Sequence, residues 1–566
     1  MKKTLHIITT LAFCGAINMI NAQNLQWAKQ MGGAGSDRGL AMAIDNWGNV
    51  YSTGTFSGTA DFDPGVGISN LISTGSNDIY ISKQDSEGNL IWAKQIGGTD
   101  YDEGVSINID GNNNIFIGGV FEGTTDFDSG VGTANLTSSG ESDIFILKLD
   151  TAGNFIWVKQ FGGINIDYLA AMIQDATGNL YASGHFSDSV DFDPGVNNLT
   201  LTSEGADDIF IFKLNANGNL DWAKHIGGNG NDYGSTIALD ASNNVYVSGS
   251  FQQTVDFDSS VGISDLTSAS SDDVFLLKLD ALGNYSWVKG FGGIGEGYTI
   301  ACDMYNNVYL GSYFSGSADF DPSINTTLNL SSFGGSVDIV VSKLDALGNL
   351  IWAKQIGGTG SEYAPCIVVN SAGNVYISGT FSETADIDPN TGTSNLISTG
   401  SQDIFIAELN SSGNLLWANS IGGVGSDVPT FLTIDSTDAI YSIGYFSGNV
   451  DFDPNSGNIN LVSAGGADIF IMKLAAPALG IKFNTFDNSV VSVYPNPSNG
   501  NNIYVQSSKN LSKIEITNSI GKIVHSSSPQ INNTVIDLTG VTKGIYFITV
   551  TNDDGNLTTK KLLLTK

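Results

Sequence analysis

Short runs of apolar residues broken by Gly, Asn, Asp and Ser recur along this chain at a fixed interval, the mark of a repeat architecture. Trp27, Trp92, Trp157, Trp222, Trp287, Trp352 and Trp417 stand 65 residues apart. Asp78, Asp143, Asp208, Asp273, Asp338, Asp403 and Asp468 keep the same spacing, each opening an apolar run. One copy drops two residues before Asp303 and regains them before Asp338, a shift that a loop absorbs and a strand does not. Each copy holds four strand-like runs of β-branched, aromatic and aliphatic residues. In the second they are Val105–Ile109, Ile115–Phe121, Ile144–Leu149 and Phe155–Phe161. The short connections Asp110 to Asn114 and Asp150 to Asn154 carry the Asp, Asn and Gly of tight hairpins.

Each unit therefore reads as a four-stranded antiparallel meander that buries its faces only against its neighbours. The expected fold is all-β: a seven-bladed β-propeller of seven 65-residue repeats over 23–475. The alternative is a β-solenoid. The Trp strand should be outermost, and Leu25–Met31 should complete the blade begun by residues 427–475, closing the ring and removing free edges.

The two ends differ from this body. Residues 1–22 have a basic start at Lys2 and Lys3, an apolar stretch and a small residue at Ala22 before Gln23, the three-part pattern of a signal peptide cleaved between Ala22 and Gln23. A lipid on Cys14 is the other reading, disfavoured by Phe13 before it. No later stretch is long and apolar enough to span a membrane. Residues 476–489 read as a linker, and 490–566 as a small β-sandwich of about seven strands such as Ile503–Gln506 and Lys513–Thr517.

Charge narrows the partners. The chain carries −34 overall; +2 over residues 1–22 and +3 over 490–566 leave −39 between them, with Arg38 the only arginine. Such a body is a poor nucleic-acid or phosphate binder and attracts cations. Cys302 and Cys366 occupy different places in their repeats, which speaks against a disulfide.

Catalytic motifs are scarce. His185 stands near the end of a second strand and His225 replaces a Gln on an outer strand; neither has a partner at metal-ligand spacing. An acidic pair recurs in the long loops between second and third strands: Asp61 and Asp63, Asp126 and Asp128, Asp191 and Asp193, Asp256 and Asp258, Asp319 and Asp321, Asp386 and Asp388, Asp451 and Asp453. Two hard oxygens close together suit Ca²⁺, so these pairs are candidate metal ligands; equally, the intervening Phe or Ile anchors the loop while Asp caps a turn. The same face should carry loops between blades bearing Tyr101, Tyr168, Tyr233, Tyr298 and Tyr363, a candidate ligand face. The recurring Lys of the Trp strand should lay its stem on apolar blade surface.

Two resemblances follow from these residues. The pattern of Gly48–Phe56 and Gly373–Phe381, followed by Asp-Phe-Asp-Pro-Gly and then an Asp-Ile-Phe-Ile strand, resembles the bacterial seven-bladed β-propeller (SBBP) repeat family, which implies a fold more than an activity. The tail resembles the type A C-terminal sorting domain of the type IX secretion system. The resemblance rests on Val493, Tyr494, Pro495, Asn496 and Pro497, on Ile514–Thr517, and on Lys543, Gly544, Ile545 and Tyr546. It implies export by the type IX machinery of a Bacteroidota-type cell, with the tail removed at the surface.

Two functions stay open. The first is a secreted or cell-surface binding or adhesion protein, not an enzyme, with a glycan or protein ligand and no nucleic acid; near-perfect repetition offers several similar weak sites. The second is a polymer-degrading hydrolase or lyase, which needs a local break in symmetry. The visible breaks are Arg38, His185 and Glu296, in three different copies.

Overall fold

The computed structural model describes residues 23–475 and 491–565, apart from 196, 324, 456, 501, 519–521 and 553–556. The leader, with Ala22, and the linker over 476–489 lie outside the described residues. The chain divides into a unit over 1–477 and a second over 478–566.

The first unit is all-β and propeller-like. Asp102–Ile109, Ile115–Asp126, Asn135–Leu149 and Phe155–Phe161 hydrogen-bond in chain order as one antiparallel sheet. Sheets of this kind begin at Arg38, Asp102, Asp167, Tyr233, Ile294 and Glu362. Six blades, not seven, are thus continuous in the chain. The remaining four-stranded set is composite: Val428–Ile434, Ile440–Phe446 and Asp468–Leu474 take their outer strand from Leu25–Gly33, in register from Leu25 opposite Leu474 to Met31 opposite Ile469. The reason lies in the phase of the repeat. The Trp strand comes first in the chain but is outermost in the sheet, so one blade must be assembled from both ends of the unit.

The first strand of every sheet packs against the first strands of the sheets on either side, and Arg38–Ile44 meets Val428–Ile434. These innermost strands therefore surround a central channel. Side chains of the outer strands are mostly half-buried, while second strands such as Val50–Phe56 are buried throughout. Short turns follow the sequence chemistry. Asp45 Oδ1 accepts the N–H groups of Trp47 (3.0 Å) and Asn49 (2.9 Å), and Gly48 takes φ +81°, which only glycine adopts without strain.

The long connections are not plain loops. Thr59–Asp61 and Asn70–Ile72 form a small hairpin, and Asp61 and Ala60 pair with Gly32 and Gly33 at the end of the neighbouring blade's outer strand. Gly357 opposite Asp386 and Gly422 opposite Asp451 repeat this stitch. Phe62, Phe127, Phe192, Phe257, Phe320, Ile387 and Phe452 pin these hairpins, all buried. Each such side chain contributes about 1.5–3 kcal/mol by leaving water.

The C-terminal unit differs from the expected seven-stranded sandwich. Its described residues form six strands joined as one sheet through Asn502–Asn518. That long strand pairs with Ile531–Asp537 up to Gln506, shifts register before Leu511, and then pairs with Gly544–Asn552. One bent strand serves both halves, so the two layers never separate into independent sheets. Ile503, Val505, Ile514, Ile516, Ile548 and Leu562 fill its core.

Candidate functional site

The innermost strands place one side chain per blade near the start of the channel. Tyr168, Tyr233 and Tyr363 stand on Asp167–Gln174, Tyr233–Leu239 and Glu362–Val369, so these tyrosines belong to strands and not to connecting loops as expected. Tyr101 makes a bridge with Asn77 just before Asp102–Ile109. The two-residue deletion shifts the fifth copy: Glu296 is paired with Tyr313 as Tyr168 is paired with His185, and Tyr298 falls two residues further along the channel. Arg38 and Glu103 hold the corresponding places on Arg38–Ile44 and Asp102–Ile109.

Each of the three breaks in symmetry touches the lining of one channel cavity: Arg38 through Tyr445, His185 through Tyr168 and Glu296 through Ser235. The cavity there measures about 680 Å³, and its lining includes Glu103, Tyr168, Ser235, Tyr298, Tyr363 and Tyr445. The Arg38 guanidinium lies 4.9 Å from the centre of the Tyr445 ring, a cation–π contact. The Tyr168 hydroxyl donates to Glu103 Oε2 at 3.5 Å. His185 stacks on Tyr168 at 5.4 Å and meets Tyr233 edge-on at 4.8 Å, while the Tyr233 hydroxyl reaches Asp207 Oδ2 at 3.3 Å. Glu296 accepts from Ser235 Oγ (2.6 Å) and the Tyr313 hydroxyl (3.2 Å), and Tyr313 packs on Tyr298 and Tyr363.

Burial sets the charge states. It pushes the Glu103 carboxyl up, against hydrogen bonds from Tyr101 and Tyr168 and the field of Arg38. It holds the His185 imidazole below its ordinary value, with Asp207 opposing, so His185 is neutral at pH 7. Desolvation and nearby carboxylates push Tyr233 and Tyr298 up to about 12. The mouth is thus a set of neutral aromatic faces interleaved with carboxylates and one guanidinium. Such a surface stacks on apolar ring faces and hydrogen-bonds hydroxyl or amino groups.

Sequence reasoning missed Glu103, Asp207, Tyr313 and Tyr445. For three of them a signal was available: Glu103, Tyr313 and Tyr445 each depart from what the adjoining copies carry at that position. Asp207 gave none, because Asp272 repeats it in the next copy.

The acidic pairs that are candidate metal ligands lie in the long connections where the sequence placed them, and the structure shows their turn-capping side. They lie in the hairpins of the long connections, away from the channel, and their carboxylates close turns. Asp61 Oδ1 accepts from the N–H of Asp63 (3.0 Å) and Ser69 (2.8 Å), and Asp63 Oδ1 from Gly65 (2.8 Å). The leading acids Asp126, Asp191, Asp256, Asp319, Asp386 and Asp451 repeat the first pattern, each with two N–H donors on Oδ1. The second acids repeat the other. Asp128 accepts from Gly130 N (2.8 Å), Asp193 from Gly195 N (2.9 Å), and Asp258 from Ser260 N (3.0 Å). Asp321 accepts from Ser323 N (3.0 Å), Asp388 from Asn390 N (3.0 Å), and Asp453 from Asn455 N (2.9 Å). Neither Asp63, Asp128, Asp193, Asp258, Asp321, Asp388 nor Asp453, nor any leading acid, joins a group of three His, Cys or acidic side chains suited to a metal among the described residues. The physical reason is local. An Asp two residues before an N–H in a tight turn bends its carboxylate back onto its own backbone, which leaves the two acids of a pair turned to separate donors.

His225 takes over the role of the Gln it replaces, its Nε2 lying 2.5 Å from Asp208 Oδ2 where Gln95 and Gln160 reach Asp78 and Asp143 at 2.6 Å. Gln23 is buried where the outer strand of the composite blade begins.

In the C-terminal unit, Tyr494 stacks on Tyr504 at 5.5 Å, and Pro495 and Pro497 follow cis bonds. Asn496 clamps the last strand, donating to Lys561 O (2.6 Å) and accepting from Leu563 N (3.0 Å). Lys543 is exposed before Gly544, where the strand starts, and the buried Tyr546 donates to Thr542 O at 2.8 Å.

Among curated proteins, the chain is 27% identical over 440 residues to an uncharacterized WD repeat-containing protein, L264, of Acanthamoeba polyphaga mimivirus, covering 64% of this chain and 31% of that one. It is 22% identical over 426 residues to the regulatory protein FlaEY of Caulobacter vibrioides, covering 70% of this chain and 42% of that one. The chain thus spans less than half the length of either relative. Among solved structures, PorZ, a surface component of the type IX secretion system of Porphyromonas gingivalis, aligns over 95% of this chain and 100% of that one, at 11% identity and a TM-score of 0.24. No helix among the described residues is long and apolar enough to cross a membrane. Residues 492–565 match the secretion system C-terminal sorting domain family, and the protein that carries this domain is one secreted to the cell surface.

Proposed function

We propose that the protein is a surface-displayed ligand-binding propeller, a ring of seven blades counting the composite one, whose ligand seats at the channel mouth. The observation that carries this reading is the convergence of Arg38, Glu103, His185 and Glu296 among tyrosines at one end of the channel. Tyrosine faces flanked by carboxylates fit a glycan, whose rings offer an apolar face and hydroxyl edges. The C-terminal domain delivers the propeller through the type IX machinery and takes no part in binding.

A polysaccharide panel, read by pull-down and by tyrosine fluorescence, tests this. The chain should retain at least one glycan, and Tyr298→Ala or Glu296→Gln should abolish retention while leaving the thermal melt unchanged. Binding that survives both variants would refute the site. The same convergence also supports the second reading, a hydrolase or lyase using Glu103 and Glu296, since enzymes need unique acids gathered in one place. Chain cleavage in the panel that vanishes in Glu296→Gln would select it.

A further inference from the structure

A second family of carboxylates lies between the blades, away from the channel. Asp468 faces Asp37, Asp78 faces Asp102, Asp143 faces Asp167, Asp208 faces Asp232, Asp338 faces Glu362 and Asp403 faces Asp427. All twelve side chains are at most 2% exposed. In each pair the outer oxygens are anchored by N–H donors: Gln160 and Ser139 hold Asp143 Oδ2 at 2.6 and 3.1 Å, and Gly163 holds Asp167 Oδ2 at 2.6 Å.

At five of the six pairs an inner oxygen is not so provided, whereas both acids of the Asp78–Asp102 pair accept on both oxygens. Asp143, Asp208, Asp338, Asp403 and Asp468 each leave Oδ1 buried with no hydrogen-bond partner, as do Asp167 Oδ1 and Glu362 Oε1. Space between the partners is tight. A Cβ placed on Gly32 would lie 2.8 Å from Asp468 Oδ1 and 3.0 Å from Asp37 Oδ2. The fifth junction is the internal control. There Gly295 sits opposite Phe314, the place that Asp167 takes opposite Phe186, and Asp273 Oδ1, without an acid to face, accepts from Ser270 Oγ at 2.5 Å.

We propose that each of the five junctions with an orphaned oxygen binds one proton between its two carboxyl groups, so that the ring is held together more tightly in acid than in base. Two facing buried carboxylates do not both stay ionised, and once one is protonated its O–H can donate to the orphaned oxygen of the other. A divalent cation such as Ca²⁺ would want six to eight oxygens, and no group of three His, Cys or acidic side chains suited to a metal converges among the described residues. Other groups facing the pairs are Asp100 at Asp102, Asp207 at Asp167, Glu383 at Glu362, and His225 at Asp208 and Asp232, the one basic group in these contacts among the described residues.

Burial and the facing acid raise Asp37, Asp232 and Asp427 to about 6, Asp102 to about 7, and Asp167 and Glu362 to about 8. Unfolded carboxyl groups titrate near 4, so the folded chain keeps protons that the unfolded chain has lost. The stabilisation is complete below about pH 4 and disappears as pH rises through 6 to 8.

Calorimetric unfolding of the full chain, at pH 5 in buffers of different ionisation enthalpy, counts the protons. About one per such junction should be released on unfolding, and the melting temperature should fall steadily between pH 5 and 8. Asp167→Asn, whose amide can donate to Asp143 Oδ1, should release one proton fewer and melt higher than the unaltered chain at pH 8; Glu362→Gln serves the same purpose at another junction. No proton release with a flat melt between pH 5 and 8 would overturn the proposal. So would a melt that drops in chelator and recovers with Ca²⁺, which would make the pairs cation sites.

Discussion

The glycine that follows each outer strand gives the sharpest test of the junction geometry. At Gly162 a Cβ would lie 2.1 Å from Asp143 Cγ and 2.4 Å from its Oδ1. At Gly292, the same place one deviant junction away, the nearest atom would be Asp273 Oδ2 at 4.0 Å. Neither glycine is held at positive φ, so the backbone tolerates alanine at both and only the steric term differs. Gly162→Ala must push the Asp143 carboxyl out of its pocket. Overpacking costs about 1–3 kcal/mol, and loosening the Gln160 and Ser139 hydrogen bonds to a buried acid adds about 1–3 kcal/mol. Gly292→Ala meets open space and stiffens the unfolded chain, a gain of about 0.4–1 kcal/mol.

The two alanines should therefore differ by about 2–7 kcal/mol, a factor of at least ten in the folded-to-unfolded ratio, since about 1.4 kcal/mol is tenfold. Urea titration followed by tryptophan fluorescence reads this as a lower midpoint for Gly162→Ala at unchanged slope, with Gly292→Ala at or above the parent. Equal midpoints for the two variants would refute the crowding of Asp143 against the glycine, and with it the geometry on which the carboxyl pairs rest.

Two further outcomes are expected. Removing residues 23–33 strips the composite blade of its outer strand and should lower the melting temperature, whereas Met31→Ala, a buried side chain in the same strand, should cost about 2–5 kcal/mol without opening the ring; an unchanged melt in the deletion would argue against closure by this strand. Calcium titrated into the full chain should give no heat, because each leading Asp of the hairpin pairs already accepts two N–H groups on Oδ1, and each second Asp, from Asp63 to Asp453, accepts a turn N–H of its own; several ions bound, with a melt sensitive to chelator, would assign those pairs to metal.

How far the sequence reaches depends on which residues a position touches. Trp27 and its counterparts meet the second-strand ring of their own sheet, as in Trp92 against Tyr51 at 6.5 Å, so every copy faces the same demand and the period is visible in the chain. The closing role of Leu25–Gly33 was legible for the same reason: a Trp strand at the start and a missing fourth strand at the end. The hairpins inside the long connections were hidden because three-residue strands such as Thr59–Asp61 carry too few side chains to show a period. Among the described residues the tail has one strand fewer than expected, because Asn502–Asn518 contains two apolar runs that read as separate strands but continue through a register shift. Tyr168 and Tyr233 were expected in loops, yet the residues before them, Asp167 and Asp232, are buried acids at the starts of the innermost strands.

The same contrast explains why repetition and individuality sit where they do. A residue between blades touches two sheets, and a change there must suit both; hence the acid and its glycine recur around the ring. A residue on the innermost strands near the mouth faces the channel, and nothing in the fold requires Arg38, Glu103, Tyr168 or Glu296 to match. The fifth copy joins the two regimes. Its shortened connection runs from Phe291 directly into Ile294–Cys302. That deletion puts Gly295 where a junction acid belongs, and it puts Glu296 beside Ser235 and Tyr313 at the mouth. This copy thus lacks a junction carboxyl and carries a channel carboxylate in its place. Restoring the acid with Gly295→Asp would give Asp273 a partner to face while leaving Glu296 in place, so junction chemistry and ligand binding are separable in this copy by single substitutions.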